Sequence, residues 1–118
     1  MTFAEFVREE AALIDADGCT GITNWNAECC LAHDLEFYYG RSVTDAYRRY
    51  RDADAAYTHW TTAAPVTFEQ ANSHFKACNF RSSKAGYFNP FAWVRWLGMK
   101  LRKTRASWEQ HRQREREA

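Results

Sequence analysis

Leucine and isoleucine are scarce in this chain, five and two among 118 residues. A leucine-packed helical core is therefore excluded, and Phe, Tyr, Trp and Ala must do most of the packing. No apolar stretch approaches the roughly 20 residues that a membrane-spanning helix needs. The start, Met1-Thr-Phe-Ala-Glu-Phe-Val-Arg-Glu-Glu10, lacks the basic opening and uninterrupted apolar run of a secretory leader. Cytoplasmic synthesis is expected, and the final location is left unknown. Four cysteines (Cys19, Cys29, Cys30 and Cys78) are too few for a disulfide-dense scaffold. They allow one or two bridges, or none in a reducing cytoplasm. There is no internal repeat and no linker long enough to divide the chain, so residues 1–118 are expected to form a single domain.

Aromatic residues, by contrast, make up 16% of the sequence, a content that favours a packed fold over disorder. The net charge of +1 conceals an asymmetry. Residues 1–80 hold 6 Lys/Arg against 12 Asp/Glu, and residues 81–118 hold 10 against 3. A basic end on an acidic body suits contact with an anionic surface, or with the body itself.

The pattern reads as all-α, a small helical domain. Thr2-Phe-Ala-Glu5 is a capping box opening a helix that runs to about residue 14. Residues 15–25, with Asp, Gly, Thr and Asn, read as a loop. Asn26 caps a second helix ending near Gly40. Ser42-Val-Thr-Asp45 caps a third, expected to continue until just before Pro65. Thr67-Phe-Glu-Gln70 caps a fourth, with Phe68, Ala71, Phe75 and Cys78 on one face. Asn89-Pro90 opens the last helix, at about residues 90–116.

The chemistry concentrates in Ala27-Glu-Cys-Cys-Leu-Ala-His-Asp-Leu-Glu-Phe37. At i, i+3, i+4 and i+7, Cys30, His33, Asp34 and Phe37 share a helical face. On the third helix Val43, Tyr47, Tyr50, Asp54, Tyr57 and Thr61 keep the same rhythm, so Asp54 falls on an apolar stripe. A carboxylate there is several kcal/mol unfavourable unless paired. His33 could pair with it, with Tyr47, Tyr50 or Tyr57 as hydroxyl donors. In an ideal antiparallel hairpin Tyr50 is nearer the level of His33 than Asp54 is. A His held by a buried Asp is an arrangement suited to general-base work. Asp34, about 100° around the helix from His33, can face the loop that carries Asp17. Two carboxylates with loop carbonyls and water meet the demands of Ca²⁺. Cys19 and Cys30 could clamp that loop to the helix.

Asp17-Gly-Cys-Thr20, then Cys30-Leu-Ala-His-Asp34, then Asp54-Ala-Ala-Tyr57 resembles the secreted phospholipase A2 superfamily, in its short bacterial and fungal form. The likeness spans about residues 15–60, with a core at about 15–63. It implies an antiparallel helix pair in which His33 activates water and Asp54 orients His33. Asp17, Asp34 and the Gly18 carbonyl would hold Ca²⁺, and Cys19 would bridge to Cys30. Phe37 stands where that family usually has Tyr, and the Gly-rich calcium loop of the animal enzymes is absent. Small phage-encoded proteins with a His-Asp and a later Asp-x-x-aromatic are a looser likeness. They imply the alternative of a non-catalytic structural component of a phage particle or similar assembly.

Other readings weigh less. Cys29, Cys30 and His33 could form a zinc site, but there is no C-x-x-C and adjacent cysteines chelate awkwardly. Cys29 and Cys78 read as small core residues or a second bridge. His59, His74 and His111 show no partners in the sequence and read as surface or packing residues. In the C-terminal segment, Phe91, Val94, Leu97, Leu101 and Trp108 form a candidate core stripe. Trp93, Trp96, Lys100 and Lys103 on another side suit a phospholipid surface or docking into a larger assembly. Nucleic acid is disfavoured because no binding motif accompanies the charge. The last ten residues read as a solvated, frayed helix end.

Overall fold

The computed structural model describes residues 1–16, 27–53, 58–82, 90, 93, 94, 96, 97 and 105–117. Among these the fold is all-α, with six helices: α1 (Phe3–Leu13), α2 (Ala27–Tyr39), α3 (Val43–Ala53), α4 (Thr58–Thr62), α5 (Phe68–Ser82) and α6 (Arg105–Glu117). None of the described helices is long and apolar enough to cross a membrane.

Local chemistry sets the ends. Thr2 Oγ1 accepts from the Glu5 amide and starts α1. The helix closes through Asp15, at a left-handed φ of 53°, and the Ala16 amide donates to the Ala11 carbonyl at 3.0 Å. Gly40, at φ 67°, ends α2 with its amide on the Glu36 carbonyl. Thr67 and Gln70 cap α5 reciprocally, at 3.1 and 2.8 Å.

The third helix is shorter than its periodicity suggests. A continuous helix would hold Ser42 and Ala64 about 33 Å apart, yet the Ser42 amide donates to the Ala64 carbonyl at 2.8 Å. The chain doubles back, so that α4 lies beside α3. Arg41 bridges Pro65, Val66 donates to Gly40, and Asp45 Oδ2 accepts from the Ala64 amide. The expected unbroken helix up to Pro65 is therefore corrected. Residues 54–57, with Asp54 and Tyr57, lie outside the described residues.

Helix α2 is the hub. One side packs with α1, α3 and α4 around Phe6, Val7, Leu35, Val43, Ala46 and Trp60. A second meets Phe75 of α5 through Cys29 and Cys30, and a third places Phe37 against Ala71 and Trp108. The expected pairing of α2 with the third helix is corrected too, because α2 packs chiefly on α1 and α5. Contacts from Cys29 to Cys78, His33 to Phe75 and Phe37 to Phe68 run in opposite chain directions, so α2 and α5 are antiparallel. Their common face carries Phe68, Ala71, Phe75 and Cys78, as the period predicts.

Residues 109, 110 and 113–116 are exposed, as expected of a solvated helix end, while Trp108, on the expected core stripe, and Arg112 tie α6 to α2. Trp108 is buried, its ring 5.3 Å from that of Phe37. Arg112 caps the end of α2 by donating to the carbonyls of Phe37 (3.1 Å) and Tyr38. Its guanidinium also lies over the Trp108 ring. Val94 and Leu97 are each 54% exposed, so the core stripe proposed through them is corrected. Trp96 stacks on Phe75 with Lys76 over its ring, and Trp93 meets Phe80 edge-on while staying partly exposed.

Candidate active site

His33, Asp34 and Glu36 are all buried on α2, within one turn of each other. Three ionisable side chains in such a position need specific partners, because burying a charge unpaired is strongly unfavourable.

His33 finds its partner on α5. Its Nε2–H donates to the Asn72 Oδ1 at 2.8 Å, between the rings of Phe37 and Phe75. That bond selects the Nε2–H tautomer and leaves the basic lone pair of the neutral ring on Nδ1. The level position opposite His33 is therefore held by Asn72 of α5. Of the tyrosines expected near the His–Asp pair, Tyr47 donates to the Met1 carbonyl at 2.9 Å, and Tyr50 packs on Phe6 and His59. Asp54 and Tyr57, the remaining expected partners, are outside the described residues.

Cys29 and Cys78 form a disulfide that clamps α2 to α5 one turn from His33. Cys30 is disulfide-bonded as well, while Cys19 lies outside the described residues. The vicinal cysteines are thus consumed in bridges and offer no thiolates to zinc, which removes that alternative.

Glu36, one turn after His33, is 2% exposed. Both of its carboxylate oxygens accept from His74 Nδ1–H, at 3.0 and 3.1 Å. Burial raises the Glu36 carboxyl above its ordinary value, and His74 together with the Val43 backbone amide partly offsets the rise. His74 is exposed, as expected, but it has a partner in Glu36, which corrects the reading of a histidine without one. His33, Glu36 and His74 line one cleft of about 300 Å³, with Phe3, Val43 and Arg81 on its walls.

Asp34 faces elsewhere. It lines a separate pocket of about 230 Å³ with Asp15, Ala16 and His111. Its wall includes Asp15 and Ala16, and the loop from Asp17 onward lies outside the described residues. Asp34 fits a hard-cation ligand in burial and chemistry. Among the described residues no three His, Cys, Asp or Glu side chains converge on a metal position, and Asp17 and Gly18 lie outside those residues.

The other histidines are accounted for. His59 is buried beside Glu10, Nε2 to Oε1 at 3.3 Å, and the Trp60 indole donates to the same carboxylate. His111 packs on Phe37 and Tyr38. Of the suggested docking residues, Trp93 and Trp96 are described above, and Lys100 and Lys103 lie outside the described residues.

Sequence reasoning missed Asn72, Glu36 and His74. The signal that could have found them is the register set by a Cys29–Cys78 bridge. It brings the turn after Cys29 level with the turns before Cys78. No protein-family model matches the chain, and no curated protein or solved structure does either.

Proposed function

We propose that this protein is a phospholipase A2-like esterase that hydrolyses the sn-2 ester of glycerophospholipids at a membrane surface, with Ca²⁺. The observation that carries this reading is the buried His33, its Nε2–H held by Asn72 across an antiparallel, disulfide-clamped helix pair. An imidazole with one nitrogen fixed, in the wall of a cleft, is the residue type that general-base chemistry uses. Asn72 orients His33 through Nε2, and Asp54, outside the described residues, keeps the orienting role the resemblance implies. Ca²⁺ would be held by Asp34 with Asp17 and the Gly18 carbonyl, and would supply polarisation of the ester carbonyl. The partly exposed Trp93, beside exposed Val94 and Leu97, supports a lipid-facing segment, with Trp96, Lys100 and Lys103 as its further members. The disulfides suit delivery out of the reducing cytoplasm, in a particle or by lysis.

Asn72 also favours a second reading. A neutral amide orients His33 but does not compensate its charge when it takes a proton. A non-catalytic component of a phage particle or similar assembly could retain this core and dock through its aromatic, basic C-terminal segment.

The two readings part on fatty-acid release from mixed phospholipid vesicles, with Ca²⁺ and with chelator. The esterase predicts chelator-sensitive release that His33→Ala abolishes. No release, or release undiminished by His33→Ala, leaves the structural reading. Trp93→Ala with Trp96→Ala should weaken vesicle binding, and unchanged binding would remove the lipid-facing assignment.

A further inference from the structure

The cleft that holds His33 contains a second imidazole whose orientation is fixed by a carboxylate. His74 Nδ1–H is shared between the two oxygens of Glu36, and Glu36 is buried against the start of α3. His74 itself lines the cleft together with His33 and Glu36. His74 is half-exposed and Glu36 is buried, so His74 is the member of the pair that meets solvent. If helix packing alone were needed, an apolar residue at Glu36 would serve without the penalty of burying a carboxylate. His33 and Glu36 are one turn apart on α2, and their partners Asn72 and His74 are two residues apart on α5. At about 300 Å³ the cleft lies at the lower end of the range of small-molecule sites, ample for an ester group and its neighbouring atoms.

We propose that His74, oriented by Glu36, is the general acid of this cleft, protonating the leaving alcohol while His33 deprotonates the water. The inference rests on the esterase reading of His33. Water attacks the ester carbonyl carbon and its proton passes to His33. The tetrahedral intermediate then breaks its C–O bond to the leaving oxygen, which takes the Nε2 proton of the His74 imidazolium. His74 recovers a proton from solvent, and His33 releases its own. The sum is ester plus water giving acid plus alcohol. Glu36 is a positioning residue, since it acts through His74.

A leaving-group comparison tests this. An alkoxide must be protonated as it departs, whereas a thiolate departs without help. Wild type, His74→Gln and Glu36→Gln are assayed with Ca²⁺ on a phospholipid sn-2 oxyester and its sn-2 thioester analogue. Thermal unfolding of each variant is followed in parallel. The expected result is a loss of about 100-fold on the oxyester in both variants, within the usual range for acid–base catalysis, and little loss on the thioester. Equal losses on both substrates, or no loss on the oxyester, would overturn the general-acid role and leave the esterase reading standing. Failure of the wild type to hydrolyse either substrate would overturn that reading and this role together.

Discussion

Replacing Cys29 and Cys78 together by alanine should lower the melting temperature by about 16 °C under non-oxidising, non-reducing conditions that leave the Cys30 bridge intact. The disulfide joins residues separated by 49 positions. Closing a loop of that length removes about 14 cal/mol/K from the unfolded chain, or about 4 kcal/mol at 25 °C. Unfolding entropy near 2.1 cal/mol/K per residue gives about 250 cal/mol/K for 118 residues. Dividing one by the other sets the expected shift. Scanning calorimetry measures it, and a fall of less than about 5 °C would refute the view that this bridge restrains a largely open unfolded chain. The clamp also sits one turn from the His33–Asn72 bond. Amide hydrogen exchange should therefore accelerate in the half of α5 near Cys78 more than in α1, which the bridge does not touch. Uniform acceleration across both helices would show that the bridge does not hold the α2–α5 register locally.

Three further perturbations probe the site and its supports. Asn72→Asp places a carboxylate on His33 Nε2, so the His33 imidazole should titrate higher by NMR, and esterase turnover should rise with it; a lower titration would show that the bond is not made. Glu36→Gln should flatten the pH dependence of stability. A carboxyl whose folded value is raised makes the protein lose stability as pH climbs from about the ordinary 4.5 toward the raised value, so urea midpoints of wild type should fall over that window and those of the variant should not. Gly40→Ala should cost more than the left-handed penalty, because φ is 67° and the added Cβ would displace the Arg112 guanidinium from its bonds to the end of α2. In an Arg112→Ala background the same change should cost only about 1–2 kcal/mol, the left-handed penalty alone; an unchanged penalty would place the clash elsewhere.

The parts of the fold legible in the sequence are those written by local contacts. Thr2 with Glu5, Thr67 with Gln70 and the left-handed Gly40 each act over three or four residues. The doubling back between α3 and α4 was not legible. The stripe Val43, Tyr47, Tyr50 continues in phase to Thr61, and what ends the helix is a non-local pairing of residues 40–42 with 64–66. His33 and Asp34 stood out because an ionisable pair interrupts an apolar run. Asn72 did not, since an asparagine in an amphipathic helix ordinarily faces water. Only the cross-helix register shows that it faces an imidazole.

That register also bears on whether the site is a working one. Helix α2 is covered by α1, by α5 and by α6, so nearly every position from His33 to Phe37 is interior. Such a helix is most stable when apolar all round. Here three of five consecutive interior residues are ionisable, and two of them draw α5 side chains into position to meet them. Each pairing brings desolvation that Leu or Phe would avoid. A scaffold gains nothing in packing from His33 with Asn72 and Glu36 with His74, whereas a cleft that must move protons needs groups of this type held at fixed orientation. The buried polar pairs therefore support the proposed esterase over a role in packing alone, while the neutral Asn72 is the feature that keeps the structural reading in play.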